Sequence, residues 1–286
     1  MNSPYPMLEH MRTFRPDIVH VHYWGECDEP WYRQVFAAAE RFGCQIIQNI
    51  NTPVTPFAAP IFRNVYVSDY VLETFGPGDR RGIVIYPGSD LEVFNRKDLD
   101  GIPNDCIGMV YRLENDKLDL HAIEPFIEVV RRRPQTRVLI VGGGTFQEPY
   151  MQAVREVGVE QAFEFTGYVP YDLLPDIFRQ LSIFVAPVWK ESFGQVGVFA
   201  MNMGIPVVGY NVGAITEMIE DRTLVAPSAD SDKLADIIIH LLDDRAERLA
   251  IGEKNRKRAN LLFSIEAMIE SYRKLYHEAD ESRKKQ

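Results

Sequence analysis

Long apolar runs are absent from this chain of 286 residues. No stretch approaches the ~20 apolar residues that span a bilayer, which argues against a transmembrane segment. The opening residues, MNSPYPMLEHMRTF, are too polar for a secretory signal. Cysteine is scarce, and Cys27, Cys44 and Cys106 show neither metal nor redox spacing. We therefore expect reduced thiols in a cytoplasmic protein.

The chain also lacks an excess of basic residues. It has 31 Lys and Arg against 41 Asp and Glu, for a net charge of −10. Nucleic-acid recognition needs a basic face, so this balance argues against a nucleic-acid partner. The basic runs at 131–133 and 283–285 end predicted helices, where cations complement the helix dipole.

What the sequence does have is a regular alternation of short apolar runs and helical stretches. The runs are brief, β-branched and bounded by glycine or proline, as buried strands are. Strands that are joined through helices form a parallel sheet covered on both faces, which predicts an α/β fold. The predicted strands are at 17–22, 45–50, 64–68, 82–88, 106–112, 137–144, 163–167, 182–187, 205–210 and 223–227.

The polar stretch at 95–105, NRKDLDGIPND, interrupts this alternation and is the best candidate for a domain linker. With 46% hydrophobic residues, the chain is long enough for two domains. We expect one domain at 1–95, a second at 96–262, and a last helix at 263–286 that crosses back to the first.

Three predicted strand ends in the second domain carry residues suited to anion binding. They are YRLENDK at 111–117, VGGGT at 141–145 and PVWKESFGQ at 187–195. In parallel sheets, ligands bind at the carboxyl ends of strands, where glycines expose backbone N–H groups. Taken singly, each segment has an ordinary explanation. The cations at 111–117 are commonly solvated, the glycines at 141–145 form a tight turn, and the acid at 187–195 caps a helix.

Taken together, these segments resemble the donor half of GT-B retaining glycosyltransferases, the large group 1 family that includes sucrose synthase-like enzymes and mannosyltransferases. The matching stretches run in the family's order across 82–277, among them YPGSDLEVF, GMVYRLENDK, VLIVGGGT and the segment from FTGYVPYD to ITEMI. The resemblance implies two Rossmann-like domains, the first of them shortened, and a nucleotide diphosphate sugar as the donor substrate.

The resemblance also implies roles for individual residues. Arg112 and Lys117 would hold the diphosphate and take up leaving-group charge without a metal or other cofactor. Glu191 would accept hydrogen bonds from hydroxyls of the donor sugar, and Tyr168 would lie near the base. The remaining donor contacts would come from the glycine turn and from the loop and helix that follow Glu191: Gly142, Ser192, Phe193, Gly194, Gln195, Val196 and Phe199.

Two positions depart from the family's pattern. A second glutamate, which usually grips the ribose, falls on Phe199, and a histidine of the first domain falls on Asn51. Loss of one hydrogen bond to a charged group would weaken donor binding by about 10- to 150-fold. We interpret Phe199 as a modified donor pocket, and we assign Asn51 and His22 to the acceptor side.

His20 and His22 alternate along a predicted strand and so share one of its faces. Two histidines without a third ligand favour buried, hydrogen-bonded side chains over a metal site. We expect no metal.

Only sixteen residues precede the first predicted strand, whereas related enzymes open with a strand, a glycine-rich turn and a helix. A sheet without its opening strands would expose an edge. The hypothesis that follows is association through residues 1–70, as a homo-oligomer or with a partner chain.

The function expected from the resemblance is transfer of a sugar from a nucleotide diphosphate to a hydroxyl of a glycan, lipid or small molecule. The main alternative is a non-catalytic, glycosyltransferase-like subunit that binds a partner transferase, with or without a nucleotide. A sugar-nucleotide epimerase is a third reading, but it needs a catalytic acid that the sequence does not point to.

Overall fold

The computed structural model describes residues 5–25, 29–96 and 101–285. The chain divides into two compact units: one runs to Gly88 and resumes at Glu266, and the other is Ser89–Ile265. The change of unit at Gly88 comes just before the polar stretch at 95–105, which therefore belongs to the second unit. Residues 97–100 of that stretch and Cys27 lie outside the described residues.

The first unit contains a four-stranded parallel sheet with the strand order β1-β2-β3-β4. Its strands begin where the apolar runs of the sequence predict them. The elements are α1 (Tyr5–Phe14), β1 (Ile18–Tyr23), α2 (Glu29–Arg41), β2 (Gln45–Ile50), β3 (Arg63–Tyr66), α3 (Asp69–Phe75), β4 (Gly82–Val84) and α11 (Ile265–Lys284).

Helix α11 supplies one hydrophobic layer of this unit. Its residues Leu275 and Ala279 are buried against Ile47 and Val65 of the sheet. Helices α1 and α2 pack with a larger cluster that contains Tyr23, Phe36 and Ile46. Two layers of helix around one sheet are the arrangement that buries a parallel sheet on both faces.

The second unit contains a six-stranded sheet in the order β10-β9-β8-β5-β6-β7, with every pair of neighbouring strands parallel. All five residues of β5 are buried, as expected for a central strand. The elements are β5 (Cys106–Val110), α4 (Glu124–Arg132), β6 (Arg137–Val141), α5 (Gln147–Glu156), β7 (Phe163–Gly167), α6 (Leu174–Phe178), β8 (Ile183–Ala186), α7 (Gln195–Asn202), β9 (Val207–Tyr210), α8 (Ile215–Ile219), β10 (Val225–Ala226), α9 (Ser231–Asp243) and α10 (Arg245–Leu262).

The order of the strands reverses direction between β5 and β8. From β5 the chain builds outward through β6 to β7, then returns to the other side of β5 with β8 and continues outward to β10. The loops after β5 and β8 therefore leave the sheet in opposite directions and open a crevice at their carboxyl ends. The fold thus places the segment after Val110 beside the segment after Ala186.

Phe199 lies in an aromatic cluster of α7 and not in an open pocket. Its side chain is 5% exposed and stacks on Phe94 with the ring centroids 3.9 Å apart. Tyr171 and Phe178 meet its ring edge to face. Phe199 is thus packed among three aromatic rings, a role that the sequence did not indicate, and its expected donor contact stays a prediction.

Two composition-based expectations can be compared with the described residues. Cys44 and Cys106 are free thiols, and burial raises the pKa of both. None of the helices that the structure describes combines the length and the hydrophobicity of a membrane-spanning segment.

We predict that Phe199→Glu destabilises the second unit by about 3–5 kcal/mol, because it places a carboxylate among three aromatic rings. Phe199→Leu, which keeps an apolar side chain, should cost only about 1–2 kcal/mol. Urea denaturation of both variants measures the difference. Near-native stability of Phe199→Glu, together with tighter nucleotide binding, would show instead that the side chain faces a ligand.

A second prediction concerns the pH dependence of the first unit. Burial and the neighbouring His22 lower the pKa of His20 to about 4, although a hydrogen bond with Asn49 opposes them. The unfolded chain, with a histidine pKa of about 6.5, then binds a proton before the folded unit does. Stability should therefore fall as the pH drops from about 6.5 towards 4.

The measurement compares His20→Gln with the parent between pH 7.5 and 5, in a Trp189→Phe background where the remaining indoles, Trp24 and Trp31, report the first unit. The variant should lose part of the pH dependence. His10→Gln, at an exposed histidine of α1, is the matched control. An equal change in both variants would mean that His20 is not the group that titrates.

Candidate functional site at the carboxyl ends of β5 and β8

The centre of the candidate site is an ion pair between Lys117 and Glu191. The Nζ atom of Lys117 lies 2.8 Å from both carboxylate oxygens of Glu191. The Glu191 side chain is 3% exposed and the Lys117 side chain 38% exposed. Since the two residues follow β5 and β8, this pair ties together the loops on either side of the crevice.

Backbone groups hold Glu191 in place. The amides of Ser192 and Phe193 donate to its Oε1 atom at 3.0 and 3.3 Å. Its carbonyl oxygen accepts from the amide of Ala214 at 3.1 Å. A Cβ atom on Gly213, which has a φ of +54°, would lie 1.9 Å from that carbonyl oxygen, so the loop after β9 needs glycine here.

Arg112 is the more exposed cation of the site. Its side chain is 78% exposed and forms an i,i+4 pair with Asp116, with a distance of 2.5 Å between Nη2 and Oδ2. Exposed pairs of this kind contribute little to stability and separate readily. Arg112 is therefore available to an anionic ligand that can displace Asp116.

Glu114 joins the loop after β5 to the glycine-rich turn after β6. Its two carboxylate oxygens accept from the backbone amide of Thr145 at 2.9 Å and from the Thr145 hydroxyl at 2.7 Å. These hydrogen bonds lower the pKa of Glu114. The Glu114 carboxylate thus already accepts from the Thr145 amide of the glycine-rich turn, where the sequence predicts anion binding.

Two of the three glycines of this turn are required by close backbone packing. Gly142 has a φ of +122°, and a Cβ atom there would lie 1.9 Å from the Tyr111 carbonyl oxygen. Gly144 has a φ of +153°, and a Cβ atom there would lie 2.4 Å from the Leu113 carbonyl oxygen. Gly142 therefore has a structural reason to be glycine, in addition to the donor contact that the resemblance implies.

The loop between Glu191 and α7 is shaped by Gly194, the N-cap of the helix, with a φ of +99°. Its neighbour Gln195 is exposed, Ser192 and Val196 are half-buried, and Phe193 packs edge to face on Phe263. The helix N-terminus therefore lies directly after the buried carboxylate. The Phe193 amide, an expected donor contact, is hydrogen-bonded to Glu191 in this structure.

Two tyrosines border the site in opposite ways. Tyr168, which follows β7, is 82% exposed and therefore open to a planar ligand group. Tyr111 is buried, and its burial together with the charge of Glu191 raises its pKa. The Tyr111 side chain therefore stays uncharged beside the Glu191 carboxylate.

Among the described residues, the contacts above involve five charged side chains, two of them cations and three of them carboxylates. The sequence pattern identifies three of the five. It misses Glu114 and Asp116, and the spacing Arg112–Asp116 is the one signal from which the exposed pair could have been found. The contact of Glu114 with Thr145 spans 31 residues, so only the fold reveals it.

The residues expected on the acceptor side lie in the first unit, at the carboxyl ends of β1 and β2. Asn51 Nδ2 is 3.3 Å from His22 Nδ1. His20 stacks on His22 with the ring centroids 4.7 Å apart. In the described part of the chain, no group of three or more His, Cys, Asp or Glu side chains is placed to hold a metal ion.

The sequence of this chain is similar to those of known glycosyltransferases. Residues 105–244 match the family described as glycosyl transferases group 1. A 2-deoxystreptamine glucosyltransferase of Streptomyces kanamyceticus is 32% identical over 164 residues, which are 56% of this chain and 42% of that protein. A 2-deoxystreptamine N-acetyl-D-glucosaminyltransferase of Streptomyces fradiae is 25% identical over 91% of this chain and 69% of its own length.

The chain thus spans from less than half to about two thirds of the length of these curated relatives. Among solved structures, HepE from Anabaena in complex with UDP superimposes with a TM-score of 0.81 at 17% identity, over 96% of this chain and 82% of that one. A glycosyltransferase from Rickettsia africae gives 0.80 at 17% identity, over 98% and 84%.

The parallel sheets, the strand reversal at β5 and β8 and the similarity to these structures agree with one another. Residues 105–244 are a group 1 glycosyltransferase domain, and the chain that contains them has the GT-B fold.

Proposed function

We propose that this protein is a retaining, metal-independent glycosyltransferase that moves a sugar from a nucleotide diphosphate to a hydroxyl acceptor. The observation that carries the proposal is the Lys117–Glu191 ion pair just before the N-terminus of α7, with the exposed Arg112 on the same loop after β5 as Lys117. Cations, a fixed carboxylate and helix N–H groups are what a nucleotide diphosphate sugar requires.

The chemistry of the leaving group explains this set of residues. When a glycosyl phosphate bond breaks, negative charge builds up on the departing diphosphate. Arg112 and Lys117 would stabilise that charge, the first through its planar fork and the second as a compact ammonium. No protein nucleophile is required if the leaving phosphate itself takes the proton of the acceptor, which keeps the anomeric configuration.

A solved neighbour supports the nucleotide part of the proposal. HepE from Anabaena has been crystallised with UDP and glucose and with UDP-glucose. We extend this ligand chemistry to the present chain because the site residues occupy the carboxyl ends of β5 and β8. A donor with a ribonucleoside diphosphate is the first to test.

The arrangement of Glu191 refines its proposed role. Its two oxygens are bonded to Lys117 and to two backbone amides. A donor phosphate that draws Lys117 away would free carboxylate lone pairs for the sugar hydroxyls. Donor binding would in this way exchange one partner of Glu191 for another.

The deciding experiment is a thermal-shift screen of UDP, GDP, ADP and their glucose conjugates, followed by a hydrolysis assay of each conjugate that binds. A ligand at one hundred times its Kd should stabilise the protein by about 2.7 kcal/mol. If no nucleotide stabilises the chain at millimolar concentration, the proposal fails. Binding without turnover would support the alternative of a non-catalytic subunit.

We predict that Arg112→Ala and Lys117→Ala each weaken UDP binding by about 10- to 100-fold, because each removes a charged hydrogen-bond donor. Their effects on stability should differ. Arg112→Ala should change the free energy of unfolding by less than about 0.5 kcal/mol. Lys117→Ala should cost about 2 kcal/mol, since it leaves the buried Glu191 carboxylate without its cation.

Isothermal titration calorimetry and urea denaturation give the two quantities. Lys190→Ala is the matched control, because this lysine precedes Glu191 in the chain but lies over the Trp189 ring. UDP affinity that is unchanged in both variants would remove Arg112 and Lys117 from the site. Equal losses of stability in Arg112→Ala and Lys117→Ala would contradict the prediction, which rests on the burial of the carboxylate that Lys117 contacts.

We further predict that Asp116→Asn tightens UDP binding by about two- to fivefold at low salt, because Arg112 no longer has to leave a carboxylate. The gain should shrink as ionic strength rises. Asp176→Asn is the control, since Asp176 forms a similar exposed pair with Arg179 and is not among the expected site residues. The same gain in both variants would mean that the tighter binding comes from the change in net charge and not from the release of Arg112.

A further inference from the structure

A cavity of the first unit lies at the amino ends of β1 and β2, the edge of the sheet opposite the expected acceptor residues. It measures about 440 Å³ and is bordered by Arg12 of α1, Arg15 and Asp17 before β1, Phe42 before β2, and Arg283 near the end of α11. Cavities of about 300–1,000 Å³ are the size of small-molecule sites. None of the expected site residues borders this cavity.

The cavity has an excess of positive charge, although the whole chain carries a net charge of −10. Three arginines border it, and Asp17 is the one carboxylate among its lining residues. Arg283 Nη2 lies 2.8 Å from Asp17 Oδ1. A second carboxylate, Asp280, is 3.6 Å from the same Arg283 atom but does not border the cavity. The charges of Arg12 and Arg15 therefore remain uncompensated at this surface.

Several guanidinium donors around the cavity have no protein acceptor. Among residues 5–25, 29–96 and 101–285, the guanidinium groups of Arg12 and Arg15 form neither a hydrogen bond nor an ion pair. The Nε atom of Arg283 is buried without a hydrogen-bond partner. Buried donors are normally satisfied by protein, water or a ligand. A ligand with several acceptor oxygens would satisfy this set of donors.

The backbone at Arg15 is strained. Its φ of +46° lies in the left-handed region, and its amide donates to the Met11 carbonyl oxygen at 2.9 Å where α1 ends. Glycine suits such a position best, because a Cβ atom strains the left-handed conformation. Strain of this kind is typical of functional sites. The chain thus places a third guanidinium at the cavity where glycine would be more stable.

Two of the arginines also have an ordinary structural role. Arg12 and Arg283 lie in the last turns of α1 and α11, where a cation complements the helix dipole. Because Arg12 already serves the end of α1, that role does not require the strained Arg15 as well. The helix dipoles therefore do not explain why three arginines border one cavity.

We propose that this cavity binds a phosphate ester. A phosphate group presents three acceptor oxygens, one for each arginine, whereas a carboxylate has two. Guanidinium groups pair with phosphate oxygens through two parallel hydrogen bonds. The Phe42 ring, 36% exposed at the cavity, offers apolar contact to the carbon part of the ester. This site is independent of the proposed transfer reaction.

The first test titrates phenyl phosphate into the protein by calorimetry at about 0.15 M salt. Arg12→Gln should weaken binding about tenfold, because it removes a charged donor that has no partner in the protein. Arg41→Gln is the matched control: it removes an exposed cation in the last turn of α2 that does not border the cavity. Its effect should stay below about twofold, since salt screens distant charges.

Two results of this titration would overturn the proposal. One is the absence of binding at millimolar phenyl phosphate, and the other is an equal loss in Arg12→Gln and Arg41→Gln. Arg112→Ala, in the second unit, should leave the affinity unchanged. If Arg112→Ala abolishes binding and Arg12→Gln does not, the phosphate binds at the candidate donor site and the cavity is not its site.

The second test separates binding from stability at Arg15. Arg15→Gly should raise the midpoint of urea denaturation, because glycine relieves the left-handed strain. The same variant should bind phenyl phosphate about tenfold more weakly, because a guanidinium is lost. A more stable variant with unchanged affinity would overturn the site of three arginines.

The third test identifies the chemical class of the ligand. Phe42→Ser should weaken the binding of phenyl phosphate and leave that of inorganic phosphate unchanged, because the ring contacts only the carbon part. Benzoate should bind at least about tenfold more weakly than phenyl phosphate, since it has fewer acceptor oxygens. Equal affinity for benzoate and phenyl phosphate would overturn the assignment to phosphate.

Sedimentation with vesicles distinguishes two sources of the phosphate ester. The vesicles consist of phosphatidylcholine with or without phosphatidic acid. Sedimentation that requires phosphatidic acid and is lost in Arg12→Gln would assign the cavity to a lipid headgroup. Binding of phenyl phosphate without sedimentation would assign it to a soluble phosphate ester. If neither phenyl phosphate nor phosphatidic acid is bound, the proposal fails.

Discussion

The buried carboxylate of Glu191 is the constraint on which the candidate site depends. A carboxylate that is 3% exposed needs compensation for its lost hydration, and Lys117 with two backbone amides supplies it. That requirement brings the loop after β5 to the loop after β8. It also sets the start of α7, because the two amides immediately precede the helix.

The same compensation limits what the cations can do before a ligand arrives. Lys117 is held by Glu191 and Arg112 by Asp116, so the site has no excess positive charge around its crevice. In the proposed transferase, a diphosphate would have to compete with these carboxylates. The exposed Arg112 pair separates more easily than the half-buried Lys117 pair, so in that proposal Arg112 would engage the phosphate first.

The fold was predictable from the sequence because buried parallel strands are nearly continuous apolar runs, such as the segments that became β5, β6 and β8. The strand-end residues Arg112, Lys117 and Glu191 were predictable because motif spacing places them after those strands. The packing of Phe199 was not predictable, because the residues that contact a helical side chain come from segments distant in the sequence. Phe94, which stacks on it, lies 105 residues away in the chain. The hydrogen bond from Tyr272 to Asn49 is equally invisible, since 223 residues separate its ends.

The position of α11 in the chain has a consequence for how the protein forms. The second unit is continuous, from Ser89 to Ile265, whereas the first needs α11 to cover one face of its sheet. On the ribosome the first unit is therefore begun first and completed last. Until α11 emerges, Ile47 and Val65 remain without the helix that covers them, so one apolar face of the nascent first unit stays exposed during synthesis.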